Sequence, residues 1–271
     1  MTQHGYNQDP RFQTAPDGST IDLLAQDKKF SELSPKLPQV TTGNVDLSSF
    51  CVAMNQYNLS SCVGNGACES LEILENIAHQ GIPGYEPTLL SRMFVWAMAS
   101  TQEGTLGQDT GCNVRTAFNT LATLGVCTEV LWPYQNGLTT LSPSILAQRQ
   151  ALGHTIQGAY RIDSLGDQRL QDIVTALQAN HPICFGTLVT DAFERLSDAG
   201  PVSQPNAVLP SGGHCLVVVG WDGTNFLVKN SWGTGWGDAG FCLLTPDYMT
   251  WDETTDLWVP TLGPAFSLRR P

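Results

Sequence analysis

The hydrophobic pattern of this sequence changes half-way along its 271 residues. In the first half, apolar residues recur every three or four positions, which predicts amphipathic helices over residues 62–82, 88–99 and 113–124. The second half holds one more such segment, residues 169–179, but otherwise contains short apolar runs separated by Gly, Asp and Asn, which is typical of strands. We therefore predict an α+β fold with a helical first lobe, a β-rich second lobe and a ligand cleft between them.

The strands predicted in the second half are rich in β-branched or aromatic residues. A hairpin signal, Asp222-Gly223, separates two of them, which favours antiparallel pairing. The predicted strands cover residues 183–189, 215–220, 226–229 and 241–244.

Residues 1–44 are polar and rich in turn-forming residues, and no hydrophobic period continues through them. We interpret them as an extended N-terminal arm or a short prosegment. Residues 45–271 then form the main domain, with the helical lobe at about 45–150 and the β-rich lobe at about 151–271.

Composition excludes several classes of function. The 13 Lys and Arg against 25 Asp and Glu give a net charge of −12, which disfavours nucleic-acid binding. No apolar run approaches the ~18 residues of a membrane-spanning helix. The first residues lack the basic start and apolar stretch of a secretory signal peptide, which leaves the cytoplasm, a virion and a specialised export route open as locations.

Three residues stand out on chemical grounds. Cys62 lies at the predicted start of a helix, where the partial positive charge of the helix end favours a thiolate. His214 follows two glycines and opens an apolar strand, and Asn230 ends the next strand. Neighbouring antiparallel strands place side chains about 5 Å apart, so the Asn230 amide can hold one imidazole nitrogen while the other faces a thiol.

The sequence around these residues resembles the papain-like cysteine peptidases. The strongest similarity is in residues 213–221 (GHCLVVVGW) and 228–237 (VKNSWGTGWG), and the order Cys, His, Asn along the chain also fits. The separation of 152 residues between Cys62 and His214 is close to the family's ~130–150. The resemblance implies a two-lobe papain-like fold with a β-barrel-like second lobe.

The same resemblance assigns a role to each matching residue. Cys62 is the implied nucleophile, His214 the general base and acid, and Asn230 the group that orients His214. Trp232 shields the hydrogen bond between His214 and Asn230 from water. Gln56, six residues before the nucleophile, would form the oxyanion hole together with the Cys62 backbone N–H.

Substrate-binding positions also follow from the resemblance. Gly111 and Cys112 stand where the family has a pair of glycines that bond the substrate backbone like an added strand. Val114 and Gly213 fall at the pocket for the second side chain before the scissile bond, which implies an apolar, fairly open pocket.

Around the nucleophile the sequence departs from the animal and plant pattern. Leu59 replaces a half-cystine and Val63 replaces an aromatic residue, which is similar to a divergent microbial branch of the family. The remaining seven cysteines form no recognisable set of metal ligands, and Cys51, Cys112 and Cys127 are the better disulfide candidates.

The first hypothesis is therefore a cysteine endopeptidase that hydrolyses polypeptides through a thioester at Cys62. We expect no metal, no cofactor, no nucleic-acid or membrane partner, and a monomer. Two alternatives remain open. One is a peptide ligase or a deamidating effector with the same Cys/His chemistry, and the other is an inactive binding module on the same fold.

Overall fold

The computed structural model describes residues 5–38, 43–135, 139–205, 211–263 and 266. Its α-helices are α1 (Phe30–Leu33), α2 (Cys62–Ala78), α3 (Arg92–Glu103), α4 (Val114–Thr123), α5 (Ile145–Ala151), α6 (Gly166–Gln178), α7 (Asp191–Glu194) and α8 (Pro246–Thr250). Its strands are β1 (Tyr6–Asn7), β2 (Phe12–Thr14), β3 (Thr20–Asp22), β4 (Val45–Asp46), β5 (Cys112–Asn113), β6 (Ile156–Ile162), β7 (Ile183–Val189), β8 (Gly212–Trp221), β9 (Phe226–Lys229), β10 (Phe241–Leu244) and β11 (Thr255–Leu262).

The second lobe is built on one antiparallel sheet. The strand order is β10-β9-β8-β7-β11-β6, and β4 pairs with the end of β8 as a seventh strand. Strands β10 and β6 lie at opposite edges of this order, so the described strands leave the sheet open. The predicted α+β architecture with an antiparallel, β-rich second lobe is confirmed, and the described strands of that lobe do not close into a barrel.

Helix α2 lies at the centre of the molecule. Every residue from Cys62 to Glu75 is buried, because one side of the helix packs on α3 and another on strand β8 of the sheet. The first lobe thus contributes a helix that reaches the sheet of the second lobe with its N-terminal end. This packing places Cys62 where the two lobes meet.

The close contact between α2 and α3 depends on a glycine. A Cβ on Gly64 would lie 2.7 Å from the main-chain oxygen of Arg92 and 3.3 Å from the Cβ of Trp96. Gly→Ala inside a helix usually stabilises a protein by roughly 0.5–1 kcal/mol. At this position we expect the opposite sign.

Gly64→Ala should lower the free energy of unfolding by about 1–3 kcal/mol, because the extra methyl group forces backbone apart. The measurement is urea denaturation followed by circular dichroism. Gly235→Ala is the matched control, since no atom lies within 4 Å of the added Cβ. A Gly64→Ala protein as stable as this control would contradict the close helix packing.

The arm contains short elements that pack along the domain. Strand β1 pairs in parallel with β5, and β2 and β3 form a hairpin. Further along, the buried side chains of Phe30, Leu33 and Leu37 join the hydrophobic core of the second lobe. The boundaries of arm and lobes remain predictions.

No described helix has the length and apolarity to cross a membrane. Within the described ranges, no three His, Cys, Asp or Glu side chains gather into a group that could hold a metal ion.

Candidate active site

Cys62 is the first residue of α2 and is completely buried. Burial raises the pKa of its thiol above the ordinary value, and the neighbouring Cys215 thiol raises it further. Backbone hydrogen bonds from Cys215, Gly5 and Val63 act in the opposite direction. The sulfur therefore lies against β8 directly after His214, and against the arm, in a setting that favours the neutral thiol.

His214 and Asn230 come from the neighbouring strands β8 and β9. Nε2 of His214 lies 2.8 Å from Oδ1 of Asn230. The same Asn230 oxygen accepts the backbone N–H of Ser231 at 2.7 Å, which fixes the orientation of the amide. Both residues are buried, so this pair is held rigidly in a place with little water.

Trp232 covers the imidazole. Its ring stacks on His214 with centroids 4.4 Å apart and planes inclined by 29°. Phe193 and Trp236 in turn meet the Trp232 ring edge-on, with centroids 6.0 and 5.5 Å away. The indole thus packs between the imidazole and two other aromatic rings.

Gln56 lies in a loop that binds the first lobe to the second. Its backbone N–H donates to the Ser231 carbonyl at 2.8 Å. In its side chain, Oε1 accepts the Ser231 hydroxyl at 2.6 Å and Nε2 donates to the Leu59 carbonyl at 2.8 Å. The structure thereby brings Gln56, Cys62, His214 and Asn230 to one place at the junction of the lobes.

The arm runs across this junction. The carbonyl of Gly5 accepts the backbone N–H of Cys112 at 3.0 Å, and β1 continues along β5. A Cβ on Gly5 would collide with the main chain of Ser60, and one on Gly111 would collide with the main chain of Gly5. Gly111 also has a φ of +77°, a conformation that favours glycine. The arm can therefore approach Cys62 so closely only because both Gly5 in the arm and Gly111 in the domain lack a side chain.

Tyr6, the next arm residue, fills a pocket beside Cys62. Its ring lies where Gly186 and Gly213 leave space, because a Cβ on either glycine would collide with Tyr6. At the far end, the Tyr6 hydroxyl lies 2.7 Å from the Thr255 hydroxyl and donates to Asp256 Oδ2 at 2.5 Å. We call the space bounded by Gly186, Gly213, Thr255 and Asp256 the Tyr6 pocket.

This pocket differs from the one that the sequence led us to expect. The resemblance implied an apolar, open pocket with Val114 in one wall, whereas the end of the Tyr6 pocket is polar and its space is occupied. Val114 is buried at the start of α4. Sequence reasoning missed Tyr6, Gly186, Thr255 and Asp256, and no local motif marks any of them.

Arm residues beyond Tyr6 are held by a cluster of charges. Arg161 contacts Asp9 at 3.0 Å and Asp256 at 2.5 Å, and Asp9 also accepts hydrogen bonds from the Trp258 indole and the Arg115 backbone. The Asp9 backbone N–H donates to Asp256 at 2.6 Å. Because these groups are mostly buried, the ion pairs are screened less by salt than surface pairs are.

All eight cysteines lie in described residues, and none is paired in a disulfide. Cys112 and Cys127, two of the three disulfide candidates, are buried, and Cys51 is half-buried. Burial raises the pKa of the Cys112 thiol, and the backbone N–H of this residue donates to the Gly5 carbonyl of the arm. The Sγ atoms of Cys184 and Cys215 lie 3.3 Å apart in the interior as free thiols.

Comparison with known proteins decides the family. The profile described as "Papain family cysteine protease" matches residues 49–253, which is most of the chain. The chain belongs to the papain family of cysteine proteases. It is therefore a cysteine-type peptidase, and its substrates are polypeptides.

Two proteins from other organisms are similar in sequence to this papain-family chain. An uncharacterised peptidase C1-like protein of Acanthamoeba polyphaga mimivirus is 27% identical, with 92% of this chain and 85% of the relative covered. Cysteine proteinase 3 of Entamoeba histolytica is 31% identical over a shorter match, which covers 34% of this chain and 31% of the relative.

A solved structure confirms the papain-like fold. Xylellain, a cysteine protease from Xylella fastidiosa, superposes with a TM-score of 0.77 at 22% identity, and the match covers 97% of each chain. The similarity therefore extends over the arm as well as the two lobes.

Proposed function

We propose that this papain-family protein is an endopeptidase in which Cys62 attacks the scissile carbonyl and His214 transfers the protons. The observation that carries the proposal is the bond between His214 Nε2 and Asn230 Oδ1, with the Cys62 sulfur against the backbone that follows His214. Because Asn230 holds Nε2, proton exchange with the thiol uses Nδ1.

In the proposed reaction, Nδ1 takes the thiol proton as the sulfur forms a bond to the carbonyl carbon. The tetrahedral intermediate collapses when the C–N bond breaks, and Nδ1 gives the proton to the leaving amine. The thioester is then hydrolysed by a water whose proton passes to Nδ1, and the Cys62 thiol is restored as the acid product leaves.

Negative charge on the carbonyl oxygen is stabilised, in this proposal, by two donors. One is the backbone N–H of Cys62 at the helix start, and the other is the Gln56 side-chain amide. The bond from Ser231 prevents the amide from rotating, and one such fixed donor is worth roughly 3–4 kcal/mol in the transition state.

The arm is, in our proposal, an inhibitory prosegment. Gly5 presents its N–H to the sulfur and its carbonyl to Cys112, so no carbonyl carbon of this residue faces the nucleophile. Tyr6 occupies the neighbouring pocket, and the covered thiol is kept neutral by burial. Activity then requires that residues 5–9 leave the cleft, by opening or by cleavage.

This proposal predicts a pH shift in the reactivity of Cys62. The thiolate is the form that reacts with iodoacetamide. Burial raises the pKa of the Cys62 thiol more than the Gly5 N–H of the arm lowers it, and in this proposal the docked arm is part of what buries the sulfur. Weakening the arm with Tyr6→Ala should therefore move the alkylation profile to lower pH, since more thiolate is present at each pH. Alkylation at Cys62 is measured by peptide mass spectrometry, and identical profiles for the two proteins would contradict an arm that controls the thiol.

Product analysis tests the reaction itself. Peptides of 10–20 residues, incubated with Tyr6→Ala protein, should be cut at internal bonds and gain one water per cut. Joined peptides would favour a ligase, and a ~1 Da increase without cutting would favour a deamidating effector. A protein that produces none of these changes and leaves Cys62 unlabelled would favour the inactive binding module.

A further inference from the structure

We propose that the Tyr6 pocket selects substrates with a tyrosine at the second residue before the scissile bond, and that Asp256 and Thr255 read its hydroxyl. The inference rests on the proposed function, because it needs a peptide in the cleft beside Cys62. The position follows from Gly213, which the family resemblance assigns to the pocket for that side chain.

The shape of the Tyr6 pocket suits a flat ring. Gly186 and Gly213 lie on the neighbouring strands β7 and β8, and a Cβ on Gly186 would meet three atoms of the Tyr6 ring before any other neighbour. When the arm leaves, this space is open to a side chain of the same size. A β-branched or small side chain would leave much of it unfilled.

The far end of the pocket is built to accept a hydrogen bond. Asp256 is buried and its Oδ2 accepts two donors from the arm, the Tyr6 hydroxyl and the Asp9 backbone N–H. Both donors leave Asp256 Oδ2 when the arm leaves the cleft. A ligand that covers this oxygen without donating a hydrogen bond to it loses binding free energy. A substrate hydroxyl at the same place restores one of the two donors.

The backbone conformation at Asp256 is unusual, which supports a role for this carboxylate in the pocket. Asp256 has a φ of +52°, in the left-handed region, and the register of β11 against β7 shifts between Thr255 and Trp258. Bulges of this kind often re-aim side chains next to active sites. Here the irregularity accompanies a carboxylate that enters the pocket from a mostly buried strand, in which Asp256 is the one charged residue.

The charges at the end of the Tyr6 pocket favour a tyrosine side chain over a basic one. Arg161 is paired with Asp256 through Oδ1, so the carboxylate at the pocket end already has a cation. A second cation from a substrate Lys or Arg would meet this guanidinium. A neutral phenol donates a hydrogen bond to Oδ2 and adds no charge, so it fits the pocket better than a lysine or arginine side chain does.

The test compares three peptides that are identical except for Tyr, Phe or Ala at the second residue before the scissile bond. The full-length protein is used, since a competing arm lowers kcat/KM for all three by the same factor and leaves their ratios unchanged. We expect the Tyr peptide to exceed the Phe peptide in kcat/KM by at least about tenfold, because a phenylalanine ring in the pocket offers no donor to Asp256 Oδ2.

Three variants test whether the residues of the Tyr6 pocket cause the preference for tyrosine. Thr255→Val and Asp256→Asn should each bring the Tyr/Phe ratio towards one, and asparagine also tolerates the left-handed backbone of Asp256. Gly186→Ala should lower the Phe/Ala ratio at least about tenfold, because its methyl group takes the place of the ring. Gly235→Ala is the control and should leave both ratios unchanged.

Equal rates for the Tyr and Phe peptides in the wild-type protein would overturn the inference and leave the proposed peptidase standing. Cleavage of no peptide, together with a Cys62 that is not alkylated in the Tyr6→Ala protein, would overturn the proposed function and this inference with it. A Tyr preference that survives both Thr255→Val and Asp256→Asn would also contradict the inference.

Discussion

Replacing Cys62 with alanine is expected to lower kcat for peptide hydrolysis by at least about 10⁴-fold, the size of effect seen when a nucleophile is removed from an enzyme. Without the sulfur there is no thioester, and His214 has no proton to take from the attacking group. The two proteins should have the same unfolding midpoint within a few degrees, because alanine occupies the first turn of α2 without strain. Activity is measured with a fluorogenic peptide in the Tyr6→Ala background.

Cys242→Ala is the matched control for this change. Cys242 is likewise fully buried, but it lies on β10, in the core of the second lobe. Its substitution should cost stability and leave kcat within about threefold for the protein that remains folded. Equal losses of kcat in the two variants would show that a buried cysteine was lost rather than a nucleophile, and would remove Cys62 from the mechanism.

Tyr6→Ala is expected to raise kcat/KM of the full-length protein on the order of 100-fold. Truncation of a buried aromatic side chain typically costs about 3–5 kcal/mol, and each 1.4 kcal/mol changes an equilibrium tenfold. The equilibrium concerned here is between arm docked in the cleft and arm released. The substitution also removes the hydroxyl that bonds Thr255 and Asp256.

Phe12→Ala provides a control within the same arm. Phe12 is an aromatic residue of β2 with 56% of its surface exposed, so its removal should leave docking and kcat/KM nearly unchanged. An equal rise in both variants would point to a general loosening of the arm. No rise in Tyr6→Ala would contradict an inhibitory arm and leave the assignment of Cys62 untouched.

Local sequence patterns predicted most of the elements that carry the proposed catalytic residues. Strands β7, β9 and β10 begin and end where the short apolar runs do, and α2 begins at Cys62 as expected. These elements are buried on both sides or on one clear face, so their hydrophobic residues follow a pattern that can be recognised in the sequence. Helix α3 begins at Arg92, four residues later than predicted, because the Ser91 side chain accepts the Phe94 N–H and caps it there.

Strands β6 and β11 were missed for a physical reason. β6 contains Gly158 and Arg161 and lies at an edge of the sheet, so its pattern is interrupted. β11 contains Pro260 and a register shift, and it exists as a strand because β6 and β7 pair with it. Neither signal is local, since it depends on partners that lie far away in the chain.

The same distance explains what was missed at the site. The proposed catalytic residues were predicted from a motif within residues 213–237 and from the spacing of Gln56 and Cys62. The Tyr6 pocket instead depends on a contact between residues 250 positions apart, Tyr6 and Asp256. A turn-rich arm carries no periodicity that indicates where it docks, so only the folded structure reveals its course through the cleft.

The most direct test of the account is to identify the atom that carries the acyl group during turnover. Tyr6→Ala protein is mixed with an excess of a peptide thioester or ester, quenched in acid within milliseconds to seconds, digested and mapped by mass spectrometry. We expect one acyl adduct, on Cys62, that disappears on longer incubation and is absent from the Cys62→Ala protein. Peptide cleavage that continues with an adduct on another residue, or in protein without Cys62, would contradict it.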